Sequence, residues 1–416
     1  MRKRMTVRAD GCLTSGVARV QSSIPLSEQM QRETTSLPPP NLDRASHAPA
    51  LSTRPTLWES VKLFRVRHRR WETVLFFLAG FCFDLLLLER IDSLPMLIHQ
   101  GSYLVLLSIL LAVDHHYTAA KAAPTGVWGK LLHFRHEMIH FLFGTLLNAF
   151  LVFYFKASSG LFSLLFLVGL CAVLLANEMP QFRRLGPIMR VALHGFALSS
   201  YFAYLLPVLA GFLSPWLFTL SLLLSSAVTF SLWRAYRRWT PDPSWTFRRA
   251  VAPSLAIQAI LLALYSARVV PPVPLSLKWI GIYHGAQRDG KSVKLLHQRP
   301  PWKIWEHGDQ TFLARPEDRV HCFVRIFAPR NFRDGVKVRW AYEDPRSGWR
   351  WTDGIPLTIS GGQEEGWRGI AYKKNFVSGH WKVTVETDDG REVGSIRFTV
   401  IADASTEPRT FFEELR

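Results

Sequence analysis

Between residues 71 and 271 the chain is a series of apolar segments separated by short loops that carry arginines, and beyond residue 271 it changes to sequence with alternating apolar positions. Seven stretches, at about 71–88, 94–113, 138–155, 161–177, 187–213, 215–233 and 250–270, are apolar and long. A helix needs roughly 17 to 25 residues to cross a hydrocarbon core, and each stretch reaches that length. Backbone polar groups find no partner in lipid, so such segments satisfy them internally as helices. Ser214-Pro215 predicts the break between the fifth and sixth. The expected fold is a membrane all-α bundle of about seven transmembrane helices followed by an all-β sandwich, with boundaries at 1–57, 58–271 and 272–416.

Basic residues set the orientation, because Lys and Arg flanking a span are retained in the cytoplasm. Arg54, Lys62, Arg65, Arg67, Arg69 and Arg70 precede the first span. Every second loop after that is basic: Lys121, Lys130 and Arg135, then Arg183 and Arg184, then Arg234, Arg237, Arg238, Arg248 and Arg249. The intervening flanks carry only Arg90 or Lys156, and 211–215 carries none. This pattern predicts a multi-pass protein of a bacterial inner membrane, with its N-terminus in the cytoplasm and its C-terminal domain in the periplasm. Residues 1–57, rich in Ser, Thr and Pro, are expected to be a disordered cytoplasmic tail.

A net charge of +18 raises the question of nucleic acid, and its location answers it. Residues 1–276 hold 27 Lys and Arg against 13 Asp and Glu, whereas residues 277–416 hold 23 against 19. The excess lies beside the apolar segments, where anionic lipid headgroups account for it. No nucleic-acid partner is expected. Cys12, Cys82, Cys171 and Cys322 fall in different regions with no spacing for a disulfide framework or a zinc ribbon.

In the last third, apolar residues recur with period two. Val320, Cys322, Val324 and Ile326 share one face, as do Val336, Val338, Trp340 and Tyr342, then Ile355, Leu357 and Ile359, then Trp381, Val383 and Val385, then Ile396, Phe398 and Val400. Asp389-Gly390 supplies the turn between the last two. With strands expected near 278–283 and 366–373, the count suits an immunoglobulin-like or fibronectin-like sandwich, with a closed barrel as the alternative.

The run Val336 to Trp340, then Gly366-Trp367-Arg368, then Gly379 to Val385, Asp389-Gly390 and Arg397 to Val400 resembles a bacterial family of unknown function, domain family twenty-nine fourteen. The stretch Phe153 to Ser159 resembles it more loosely. That resemblance implies a module placed after a multi-span membrane region in a bacterial envelope protein. It implies no activity and no catalytic residues.

His136-Glu137-Met138-Ile139-His140 fits H-E-x-x-H, in which two histidines one helical turn apart hold zinc and the glutamate activates water. His133, Asp114 and Glu178 are the candidate further ligands, at the same expected depth. The competing reading is a set of interfacial residues facing headgroups and water. That reading leads, because the later aspartate motif of membrane metalloproteases has no equivalent here. Zinc, as a structural ion or in a metalloprotease with Glu137 as its base, is the alternative, and no cofactor is otherwise expected. Asp84 and His99 sit at similar depth on either side of the first outer turn, so they are read as a static intramembrane pair, with a proton-linked transporter as the alternative. Trp349 and Trp351 flank the turn at 345–348, and with Arg350 and Trp367 they suggest an aromatic platform for an envelope glycan or a protein partner. The function expected from the sequence is a membrane-anchored binding or interaction module, leaning away from an enzyme.

Overall fold

The structure, a computed structural model, describes residues 93–120, 129, 132, 134–178, 186–239, 242–290 and 292–416. The expected tail and the first expected span, with Asp84, lie outside the described residues. Seven helices follow: α1 (Leu94–Ala120), α2 (Arg135–Ala157), α3 (Leu161–Glu178), α4 (Gly186–Ala210), α5 (Pro215–Tyr236), α6 (Pro243–Ala250) and α7 (Ala252–Ser266). Four of them, α1, α2, α4 and α5, are long and apolar enough to cross a membrane. The expectation of seven spans is therefore met by four such helices. The apolar part of α3 is shorter, and α7 has 15 residues rather than the 21 expected at 250–270. Pro253 sits in the first turn of α7, and beyond Ser266 the chain leaves the helix to enter a seam with the β-domain. The break at Ser214-Pro215 is present, with the Ser214 hydroxyl accepting a hydrogen bond from the Trp216 N–H.

The bundle is apolar outside and partly polar inside. Ile98, Val105, Ile109, Phe141, Leu165 and Leu223 are exposed, whereas Gln100, His194, Ser199, Ser225 and Gln258 are buried. In water that distribution would leave a large apolar surface uncovered; against hydrocarbon it leaves none. The buried groups join helices: Gln258 donates through Nε2 to Ser225 Oγ at 2.9 Å, and Ser199 Oγ donates to Ser225 Oγ at 3.1 Å. A Cβ on Gly195 would stand 2.1 Å from Ser254 Oγ, so the glycine lets α4 and α7 approach closely.

The C-terminal domain has eleven strands: β1 (Ser276–Tyr283), β2 (Gly285–Asp289), β3 (Ser292–His297), β4 (Thr311–Ala314), β5 (Val320–Phe327), β6 (Arg333–Asp344), β7 (Gly348–Ser360), β8 (Trp367–Lys373), β9 (Gly379–Thr387), β10 (Glu392–Ala402) and β11 (Phe412–Leu415). They form sheets in the orders β1-β5-β8, β4-β10-β9-β6-β7 and β11-β3-β2. All pairings are antiparallel except β10 with β4. The first two sheets make the sandwich. Its core holds Val324, Ile326, Val338, Trp340, Trp381 and Phe398, the residues whose alternation marked one face in the sequence. The third sheet covers the outer face of the first through Tyr283, Val293, Leu295 and Phe323. Strand β5 is buried on both faces for that reason, which its period-two pattern alone did not require.

The proline-rich link at 271–274, expected as a hinge between halves, is a packed seam. Val270, Val273 and Leu275 are buried. Arg391 donates to the carbonyls of Tyr265 (3.0 Å) and Val270 (3.4 Å) and pairs with Asp389 at 2.7 Å, its guanidinium lying 3.4 Å from the centre of the Tyr265 ring. The Arg333 N–H donates to Gly211 O at 2.7 Å, and the Leu213 N–H donates to Asp334 at 2.8 Å. Ser159 donates to Glu392 O at 3.2 Å. The loops after α2, α4 and α7 thus all meet the same end of the sandwich. Arg391→Met keeps the aliphatic stem but strands two carbonyls and a carboxylate, and should cost roughly 1 to 3 kcal/mol. Faster proteolysis between residues 267 and 275 in the purified variant is the expected sign; unchanged cleavage would mean the seam does not depend on Arg391.

Candidate functional site

At the end of the bundle opposite the seam, Asp114 near the end of α1 joins three helices. Arg135 from α2 donates to its Oδ1 at 2.8 Å, and Arg190 from α4 donates to its Oδ2 at 2.7 Å. His136 Nδ1 lies 3.6 Å from Oδ1, outside hydrogen-bonding distance. His115 stacks on Tyr236, and His116 meets Trp239 edge to face. Neither α1 nor α4 would bring these charges together from sequence spacing alone; helix packing does.

This arrangement is an ion-pair hub. Both Asp114 oxygens are committed to guanidinium groups, which leaves that carboxylate poorly suited to ligate a cation. His136 and His140 lie one turn apart on α2 as the motif requires, and Glu137 is exposed. His133 and the side chain of Glu178 lie outside the described residues. Among the described residues no group of three His, Cys, Asp or Glu side chains is placed to hold a metal ion. His99 is exposed and stacks on Tyr103 at 4.2 Å.

An apolar cleft of about 730 Å³ opens between α1, α4 and α5, lined by residues such as Leu104, Val105, Ile109, Leu198 and Phe202. Its polar lining comes from Ser108, His116, Tyr117, Tyr201 and Trp239. Ser108 Oγ is within 2.8 Å of His194 Nε2, a contact that ties α1 to α4 inside the bundle.

In the β-domain the structure separates the four residues expected to form one platform. Trp349 and Trp351 lie on one face of β7, opposite Glu343 and Ala341 of β6. Arg350 is on the other face, opposite Tyr342, and Trp367 belongs to β8 in the other sheet of the sandwich. Arg339 lies 4.0 Å from the centre of the Trp351 ring and Arg397 lies 5.6 Å from that of Trp349, so intramolecular cations cover these rings. Asp344 accepts from the N–H groups of Arg346 and Ser347 and so fixes the hairpin turn; those hydrogen bonds hold its carboxyl below the usual range.

The most exposed apolar group of the domain lies elsewhere, in the loop between β3 and β4. Trp302, Ile304 and Trp305 are 64%, 80% and 65% exposed. The loop is braced rather than loose. Asp309, buried beneath it, accepts from the N–H groups of Gln298 and Arg299 at 2.8 Å and contacts His284 Nδ1 at 2.6 Å. Phe312 stacks on His284 at 3.9 Å, and Arg299 donates to the carbonyls of Lys303 and Glu306. The sequence signal was Pro300-Pro301 followed by Trp302, Ile304 and Trp305. These are apolar residues outside any strand periodicity, and sequence reasoning passed over them.

With this geometry in place, the comparison with known families becomes informative for the sandwich. Residues 334–400 match the family described as protein of unknown function (DUF2914). The DUF2914 segment runs from β6 to near the end of β10 and contains Trp340, Trp381 and the Asp389-Gly390 turn. The braced loop at 298–310 lies outside it. Among solved structures, an immunoglobulin-like protein from Pseudomonas aeruginosa is 10% identical, with TM-score 0.19, over 31% of this chain and 98% of that one. A β-glucosidase from Bifidobacterium adolescentis is 10% identical, with TM-score 0.17, over 32% of this chain and 18% of that one. An alkylpurine DNA glycosylase from Pseudomonas fluorescens, bound to DNA containing an abasic site analog, is 13% identical, with TM-score 0.17, over 75% of this chain and 98% of that one. At these scores the three structures carry no argument about function. No curated protein matches the chain.

Proposed function

We propose that the chain is a seven-span protein of a bacterial inner membrane that presents its β-domain in the periplasm as a docking module for another envelope protein, without catalytic activity of its own. The observation that carries this reading is the braced loop at 298–310. A large apolar group on a mobile loop would lose ordering entropy on binding, whereas Trp302, Ile304 and Trp305 are held in place by the buried Asp309 and by Arg299. Tryptophans so displayed have the character of interface anchors.

A protein partner fits better than lipid. The loop is bonded to Ile282, and β1 leaves the seam at Ser276. Six residues of strand separate the two by about 20 Å, which lifts the loop clear of the helix ends. The orientation is supported by the placement of charge. The seam lies at the loops after α2, α4 and α7, whereas Arg135, Arg190, Arg234, Arg237 and Arg238 lie at the opposite end, where basic residues are retained in the cytoplasm.

The test is a photoreactive residue at Ile304 in the full-length protein, expressed in its membrane. A discrete protein adduct is expected, lost when Trp302 and Trp305 are both changed to Ala and retained in Trp349→Ala. An adduct only when the photoreactive residue stands at Trp351, or none at either position, would overturn the reading.

A further inference from the structure

The first sheet carries two arginines directly opposite one another, Arg325 on β5 and Arg368 on β8. Like charges at opposed strand positions are destabilising unless something offsets them. Arg325 makes no ion pair or side-chain hydrogen bond with any described residue, and its Nε is buried without a partner; so is the Nε of Arg368. The terminal nitrogen of Arg368 reaches Glu365, which is exposed. Arg416 adds a third guanidinium, stacked 3.6 Å over Trp279, the residue that faces Arg325 from β1. Burial, then the charge of Arg416 and that of Arg368, push the pKa of Arg325 down, while Glu365 opposes them.

Beside this pair lies an open cleft of about 760 Å³, between the β2–β3 hairpin and the loop before β8. Arg288 and Ser292 line one wall, and Trp367 and Arg368 the other, with Glu364 and Glu365 at the rim. Its place in the fold matters. Trp367 and Leu277 both face Ile326, next to the start of β1, and the loop at 361–362 is bonded to Phe332 and Ala328. The next residue, Arg333, bonds to Gly211 in the turn between α4 and α5. The cleft therefore opens at the end of the sandwich that seats on the helices.

We propose that this cleft binds a phosphate group, held by the guanidinium forks of Arg325 and Arg368 with Arg288 at its mouth. Planar guanidinium groups bond phosphate oxygens in pairs, and an oxyanion between the two would satisfy both orphaned Nε donors and offset their repulsion. Phosphate is carried both by anionic lipid headgroups and by soluble phosphoesters. The level of the cleft favours the headgroup, an arm that rests on the membrane reading above. The site shares no residue with the 298–310 loop, so a failed cross-link there and a failed phosphate test here are separate results.

Full-length protein in detergent, exposed to equal phosphatidylglycerol and phosphatidylcholine, should retain phosphatidylglycerol at least about tenfold more in native mass spectrometry, by the strength of charge-assisted pairing. Arg325→Gln should abolish that preference, and Arg325→Lys, which keeps the charge but loses the fork, should weaken it. Arg346→Gln, in the exposed β6–β7 turn, should leave it intact. A merely structural arginine would lower thermal stability when changed, whereas Arg325→Gln relieves a repulsion and should leave the melting temperature equal or higher. In the second arm, a melting-temperature rise with inorganic phosphate that needs Arg325, without lipid preference, would assign the site to a soluble phosphoester. Equal lipid retention and equal phosphate response in wild type, Arg325→Gln and Arg325→Lys would overturn the proposal.

Discussion

Changing Asp114 to alanine should destabilise the detergent-purified full-length protein by about 3 to 5 kcal/mol, because it leaves two largely buried guanidinium groups facing one another without their shared anion. The Asp114 side chain is only 14% exposed, and Arg135 and Arg190 17% and 22%, so solvent screens the pairs little. The hub holds α1, α2 and α4 together at one end, and its loss should appear as a lower midpoint in thermal unfolding. A change below about 1 kcal/mol would show that the three helices are held by apolar packing alone. His136→Ala provides the contrast. Its side chain is 44% exposed and stands 3.6 Å from Asp114, so its removal should alter stability by no more than about 0.5 kcal/mol. The same pair of variants separates the hub from the zinc reading of His136 and His140. Purified protein with near one zinc per chain, lost in His136→Ala, would restore the metal site and demote the ion-pair account.

What made the fold legible was periodicity, and what hid the rest was the distance along the chain between residues that meet. The Val320, Cys322, Val324 and Ile326 alternation marked a sandwich face without help from neighbours, because a half-buried strand writes its environment into every second residue. Phe323, on the other face of the same strand, is buried by β3, and nothing near residue 323 announces that. The Asp289-Gly290 turn was a usable sign of the β2–β3 hairpin, but Gly-Ala-Gln-Arg-Asp reads as loop when only apolar alternation is counted. In the helical half, apolar length was visible while pairing was not. Asp114, Arg135 and Arg190 are spread over 77 residues of sequence, and only the packing of α1, α2 and α4 makes them one site. The two arginines of the cleft are hidden for the same reason, since Arg325 and Arg368 are opposed through register alone. Trp349 and Trp351 show the converse. Exposure near a turn was readable from sequence, but the arginines that cover their rings come from β6 and β10.

The two core tryptophans should respond differently to a smaller change, although each should lose about 3 to 5 kcal/mol as alanine, the range for truncating a buried large aromatic. Trp340 is fully buried and packs edge to face on Phe398, but its indole N–H has no hydrogen-bond partner among the described residues. Trp381 is 3% exposed, sits against Tyr342, and donates its N–H to Val377 O at 2.9 Å. Phenylalanine removes an unpaired donor at 340 but a satisfied one at 381, where it also strands the Val377 carbonyl. Trp381→Phe should therefore cost about 1 kcal/mol more than Trp340→Phe, the net value of one hydrogen bond. Both variants lose similar volume, so the cavity penalty largely cancels in the comparison. Melting curves of the full-length variants, followed by tryptophan fluorescence from the remaining residues, measure the difference. A larger loss in Trp340→Phe would mean that the indole at 340 has a buried partner and that the sandwich core is more polar than its strands suggest.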